Sequence, residues 1–411
     1  MTYGTWVANR YYWGMKIFSR CLLPMVLAES IVLAGASGPK LELGANVNES
    51  LTRLDQTLLD RSHTTWVRGF LPASEFIAGQ RRVKDDPGIL TLERCAHDHC
   101  KVIVSLKWDF KRGCWRAPAA DSPAERDCFI WTDALCDQMR GEISMLSLVN
   151  EAFEDTQPAD LGAGADGQIP LVNFLKRLAA HVAARGEKNP QGAPLPLYCG
   201  GFTRLDTQAM ETNTAALALL NWCEADARIT GVDFHMHQEN LEQFQQTMVF
   251  LRQHVPTKPL IVTEFSLIWN YRKHLEDRLE ATPAGAAFAR KNHLGSGATV
   301  RQFINQSLRN PVPEETWTEF LRSQRWFDPD YLERSCQLME QHGVVVATYA
   351  FSQHSSGGRT ELGQHAVPWL LNAIFIPLVA VSANTNQTAV NRFWFDEYVR
   401  RQLEAPRLQP Y

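Results

Sequence analysis

Two short segments hold the residues best placed to do chemistry. Leu146-Ser147-Leu148-Val149-Asn150-Glu151 and Leu260-Ile261-Val262-Thr263-Glu264-Phe265 each run as an apolar strand that stops at a carboxylate. Burying an ionised carboxylate is expensive, so two core strands that end on glutamate suggest a use for both. On one parallel barrel the two side chains would converge on a single rim, where barrel active sites lie. Two carboxylates facing each other across a cleft are the equipment of glycosidic bond cleavage. The bland alternative is a pair of strand-end surface residues in salt bridges.

The elements that would carry these residues alternate along the chain. Strand patterns are expected at Leu41–Val47, Thr64–Phe70, Val102–Trp108, Ile143–Val149, Leu195–Cys199, Ile229–His235, Pro259–Thr263 and Val344–Phe351. The Val102 strand is continuously apolar, as a strand covered on both sides should be. The fifth is the weakest, because Pro196 would cost a central strand one hydrogen bond. Helical patterns fall near Ser50–Leu59, Ala124–Arg140, Leu171–Arg185, Thr207–Glu224, Leu241–Gln253, Glu314–Gln341 and Trp369–Val379, and Pro283–Asn310 reads as a surface loop. Eight strands with helices between them make a (β/α)8 barrel, with an extended insertion between strands 7 and 8, the economical assembly. A doubly wound open sheet is the rival, but no glycine-rich phosphate-binding turn occurs.

Composition sets outer limits. The chain has 411 residues, 45% hydrophobic and 21% charged, with a formal net charge of −4. It carries no basic excess for nucleic-acid phosphates, and no obligate protein partner is evident. Residues 1–38 read as a non-core segment: Lys16 and Arg20, an apolar run from Cys21 to Ala36, then Ser37-Gly38-Pro39 resemble a signal peptide beginning at Met15. Residues 39–411 then form one catalytic domain, secreted or periplasmic, or cytoplasmic if the segment is no signal. Eight cysteines remain after Cys21, an even number that permits disulfides, with Cys95, Cys100, Cys114, Cys128 and Cys136 clustered near one expected loop. His97 and His99 between Cys95 and Cys100 raise zinc as a rival use, without a second compact cysteine pair to complete it.

Asn150-Glu151 at the end of the fourth strand and Glu264 at the end of the seventh resemble the clan of retaining glycoside hydrolases with (β/α)8 barrels, which includes cellulases, mannanases and β-galactosidases. The resemblance spans roughly Leu41 to Ala380, on short motifs. It implies that Glu151 is the acid/base and Glu264 the nucleophile, acting without cofactor or metal on a β-linked oligo- or polysaccharide. Apolar surroundings and the charge on Glu264 should then raise the Glu151 pKa. The resemblance also implies that Asn150 bonds the sugar 2-hydroxyl and that Arg68 contacts the nucleophile. His235-Met236-His237 matches in part a His followed two positions later by Tyr, with His237 standing where Tyr is expected. Many members place a Trp at the eighth strand, where this chain has Tyr349 and Phe351, so Trp108, Trp269 and Tyr349 are the aromatic candidates for sugar contact. Two further classes stay open: a barrel that binds sugar without turnover, and a metal-dependent barrel enzyme using His235 and His237.

Overall fold

A computed structural model of the chain describes residues 40–48, 51–112, 115–353 and 361–404. The stretch read as a signal peptide lies outside them. Eight parallel strands close on themselves in chain order: β1 Glu42–Asn46, β2 Trp66–Pro72, β3 Lys101–Lys107, β4 Ile143–Ser147, β5 Leu197–Phe202, β6 Gly231–His237, β7 Leu260–Ser266 and β8 Val344–Ala350. β8 pairs back onto β1 through Glu42↔Val346 to Asn46↔Ala350. The fold is a (β/α)8 barrel. Pro196 falls just before β5, which runs on through Gly200-Gly201 instead, so its missing N–H costs the ladder nothing.

Helices cover the outside, started by caps visible in the sequence. Ser122 accepts from the Glu125 amide ahead of Pro123–Gln138, and Asn240 caps Leu241–His254 in the same way. Pro283–Asn310 is not the expected loop. It forms helices Pro283–Lys291 and Val300–Arg309, the first capped by Thr282 and the second by a reciprocal Thr299–Gln302 capping box. Between Trp369 and Val379 only a single 3-10 turn forms, Trp369–Asn372. A helix not foreseen from the sequence, Arg392–Glu404, returns to the barrel floor, where Tyr398 bonds Thr64 at 3.0 Å and Gln402 bonds the Leu43 carbonyl.

Inside the barrel, side chains stack in layers two residues apart. Trp66, Ile103, Tyr198, Ile261 and Val346 form a small apolar layer. Two positions further along their strands, Arg68, Ser105, Thr263 and Thr348, with Ser147 and Asp233, make a fully buried polar layer. Such a layer is stable only if its charges are paired and its hydrogen bonds filled. The site stands on this layer.

Candidate active site

Two irregularities in the barrel aim the residues that matter. Pairing of β6 with β7 skips one residue: Phe234 opposes Val262, but His235 opposes Glu264. Strict alternation from Ile261 would turn Thr263 inward and Glu264 outward. The bulge turns both in, so that Thr263 bonds Asp233 and Glu264 bonds Arg68 within the barrel. The second irregularity is on β5, where Gly200 opposes Asp233 and Phe202 opposes Phe234. The extra residue, Gly201, has φ +51°, and a Cβ there would lie 2.6 Å from both the Glu151 amide nitrogen and the Val149 carbonyl oxygen. Only glycine allows the Val149–Glu151 backbone so close. Glu151 itself holds φ 44°, a left-handed conformation that L-residues adopt at a cost.

Arg68 is the hub. Its guanidinium, wholly buried, donates from Nε to Ser105 Oγ at 3.1 Å and from Nη1 to Asn46 Oδ1 at 3.1 Å and Glu264 Oε1 at 2.7 Å. Nη2 donates to Asn150 Oδ1 at 2.5 Å. With its oxygen committed to Arg68, Asn150 presents its amide N–H groups as the free donors. One buried cation therefore orients both the residue before Glu151 and the carboxylate of Glu264.

A second network runs through the histidines. Ser147 and Thr263 donate to the two oxygens of Asp233 at 2.6 and 2.8 Å, and burial raises the pKa of this acid. Since the Thr263 hydroxyl spends its proton on Asp233, it accepts from His235 Nε2–H at 3.0 Å. The other ring nitrogen, Nδ1, faces Glu151 Oε1 at 3.3 Å and Glu264 Oε1 at 3.9 Å. A bare lone pair cannot face a carboxylate favourably, so a proton belongs between His235 and Glu151. Burial acts to lower the His235 pKa, but the charges of Glu264 and Glu151 outweigh it and hold it above its ordinary value. His237 bonds Ser266 Oγ through Nδ1 at 2.8 Å. Its Nε2 lies 3.4 Å from Glu264 Oε2 without hydrogen-bond alignment, buried and unpartnered.

The two glutamates are unequal. Burial pushes Glu264 upward, but His235, Arg68 and His237 outweigh it and hold the carboxyl far below the usual carboxylate range. For Glu151 the direction differs from the expectation. Burial again acts upward, yet the hydrogen bond and charge of His235 bring the net shift down. The sequence suggested apolar walls; the structure supplies an imidazole that shares the proton. Because both carboxylates reach one nitrogen, their Oε1 atoms lie no more than about 7.2 Å apart.

The aromatic candidates separate. Trp108 is 1% exposed, donates to the Leu148 carbonyl, and packs among Phe110, Trp131 and Phe174. Tyr349 is wholly buried, with its hydroxyl on Asn372 Oδ1 and its ring against Phe265. Neither ring can meet a sugar: residues read as contact candidates turn out to be core, because strand ends here tuck under the loops. Trp269 is half-buried in the helix after β7, Ile268–Lys273, with Arg204 and Arg272 at 5.9 and 5.6 Å from its ring. The ring at the carboxylates is Trp369, in the turn that follows β8. It meets His237 edge-on at 4.8 Å and walls a narrow cleft with Asn46, Asn48, His237 and Glu264. Its signal in the sequence was Pro368-Trp369, a turn dipeptide rather than a helix start. A larger cavity of about 640 Å³, bordered by Glu239, His274 and Trp326, touches neither glutamate.

The cysteines are not where the sequence placed them. Cys95, Cys128 and Cys136 sit on helices rather than a loop, and with Cys100 they are buried free thiols. Burial pushes Cys95 up to about 11 and Cys100 to about 12, which keeps both as neutral thiols. Cys114 lies outside the described residues.

No protein-family model matches the chain, and no curated protein matches it. Among solved structures, the barrel is similar to a thermostable, halotolerant GH5 cellulase from an Icelandic hot spring isolate, at 9% identity over 90% of each chain and a TM-score of 0.48. It is similar also to a β-glucosidase from Thermotoga maritima, at 10% identity over 84% of this chain and 85% of that one, TM-score 0.47. A GH10 xylanase from Thermobacillus composti gives 13% identity over 88% and 97%, TM-score 0.46. The barrel's own strand order establishes the fold. What it can do follows from the site.

Proposed function

We propose that this protein is a retaining glycoside hydrolase that cleaves a β-linked oligo- or polysaccharide through a covalent glycosyl-enzyme intermediate. The observation that carries the reading is the unequal carboxylate pair: Glu264 held ionised by Arg68, and Glu151 sharing a proton with His235. Retaining sites place their carboxyls about 5–5.5 Å apart and inverting sites roughly 6.5–9.5 Å. The two Oε1 atoms lie no more than about 7.2 Å apart, which admits the retaining separation.

In the first step Glu264 attacks the anomeric carbon while the glycosidic oxygen takes the shared proton through Glu151. The carbon–oxygen bond breaks and an ester to Glu264 forms. In the second, Glu151 and His235 take a proton from water as its oxygen displaces Glu264, which restores the carboxylate and the original anomeric configuration. Asn150 donates to the 2-hydroxyl, a contact that strengthens as the ring flattens. Trp369 offers an apolar face to the sugar beside Glu264. The basic and apolar pattern between Met15 and Pro39 supports a secreted or periplasmic setting.

A panel of aryl β-glycosides and β-linked oligosaccharides of different monomers, assayed in chelator, tests this reading. Wild-type protein should release product from at least one member, and Glu264→Gln should release none. Sugar binding without cleavage across the panel would overturn the proposal in favour of a binding protein.

A further inference from the structure

The site has more ligating power than hydrolysis uses. His237 Nε2 is unpartnered, in a residue only 8% exposed, and points at Glu264 Oε2 from 3.4 Å. His235 Nδ1 faces Glu151 Oε1 at 3.3 Å, and because Nε2–H is held by Thr263, Nδ1 is the nitrogen that can exchange the shared proton for a metal ion. Ligating atoms of Glu151, His235 and His237 all lie within 4.8 Å of one another. Around a tetrahedral Zn²⁺ with bonds of about 2.0–2.2 Å, ligand atoms sit roughly 3.3–3.6 Å apart. The contact between His235 and Glu151 already has that spacing. Arg68 occupies only Oε1 of Glu264, and Oε2 borders the cluster beside His237.

We infer that the cleft binds one divalent transition-metal ion, Zn²⁺ by preference, on Glu151, His235 and His237 with a water in the fourth position, and that this ion silences the enzyme. The outer partners are those a zinc site needs. His235 is fixed by Thr263 and Asp233, and His237 can give its Nδ1–H to Ser266. Two imidazoles and one carboxylate suit Zn²⁺ or Co²⁺ better than Mg²⁺ or Ca²⁺, which take oxygen ligands. The ion would replace the proton between His235 and Glu151. The site then has no acid to protonate the leaving oxygen. Silencing as the consequence rests on the hydrolase reading above; the binding itself does not.

Titration of chelator-treated full-length protein with Co²⁺, followed by its visible absorption, tests the site directly. One equivalent should bind with the intense bands of a low-coordinate nitrogen-ligated ion, and Zn²⁺ should displace it. His237→Ala should abolish the spectrum, and Ser266→Ala should weaken binding by about 10-fold, as loss of an outer partner does. Added Zn²⁺ should inhibit hydrolysis, and chelator should restore it. Absence of stoichiometric Co²⁺ binding, an unchanged spectrum in folded His237→Ala protein, or activity that rises with metal would each overturn the inference. Stoichiometric binding by a protein that hydrolyses nothing would instead uphold the metal site and refute the hydrolase reading.

Discussion

Gly201→Ala is a sharp probe of the site because residue 201 has no side chain and carries no charge. The new methyl would stand 2.6 Å from the Glu151 amide nitrogen and from the Val149 carbonyl oxygen, and 3.1 Å from the Asn150 carbonyl carbon. Ordinary contact begins near 3.4 Å, and each of these atoms is backbone, so the Asn150-Glu151 turn must retreat by roughly 0.8 Å. A misplacement of about 1 Å can cost about 100-fold in rate, so kcat/KM should fall by roughly 30- to 100-fold. The left-handed φ adds about 1–2 kcal/mol of destabilisation. Gly192→Ala separates the two effects. That glycine has φ +76° and open space around it, so the substitution carries the backbone cost without moving Glu151. Urea denaturation and steady-state kinetics on both variants are the assay. Wild-type kcat/KM in folded Gly201→Ala, or an equal activity loss in Gly192→Ala, would refute the claim that β5 sets the position of Glu151.

Three further outcomes follow from the site. Glu151→Ala should hurt substrates with poor leaving groups by orders of magnitude more than activated aryl glycosides, since these need little protonation; equal losses on both would remove the acid role. Because the His235 pKa is raised, the shared proton is retained below and through its ordinary value of about 6.5 and lost only as pH climbs above the raised one. The alkaline limb of kcat/KM should therefore lie above that value and move to lower pH in His235→Asn, while a limb unmoved by the substitution would assign the proton elsewhere. Trp369→Ala should weaken kcat/KM by about 10-fold with little loss of stability, whereas Trp108→Ala should destabilise by about 3–5 kcal/mol; the reverse pattern would exchange their roles.

The barrel was legible because its strands are apolar runs of the right length, separated by helical periods. So was the pairing of Glu151 and Glu264, since strand-end residues on a parallel barrel share one rim; Asn150 and Arg68 were expected there from the family resemblance, and the four do meet. What stayed hidden depends on register. No period-2 reading shows that one skipped residue between β6 and β7 turns both Thr263 and Glu264 inward. Asp233 and Thr263 looked like ordinary strand residues, and only the closed barrel brings them under His235. Trp108 proved buried, and Trp369, which was not among the aromatic candidates, lines the cleft, because exposure of an aromatic ring is decided by the loops that cover it. The insertion helices were legible in principle from Thr282-Pro283 and Thr299…Gln302, capping signals outweighed by the Gly and Asn content around them.

The stereochemistry of the first product tests the central claim most directly. Hydrolysis of a reactive β-glycoside is followed by proton nuclear magnetic resonance within the first minutes, before the sugar mutarotates. The account predicts that the β anomer appears first, with Glu264 as the residue that carries the covalent sugar. First appearance of the α anomer would mean single-step attack by water, and would contradict the role given to Glu264.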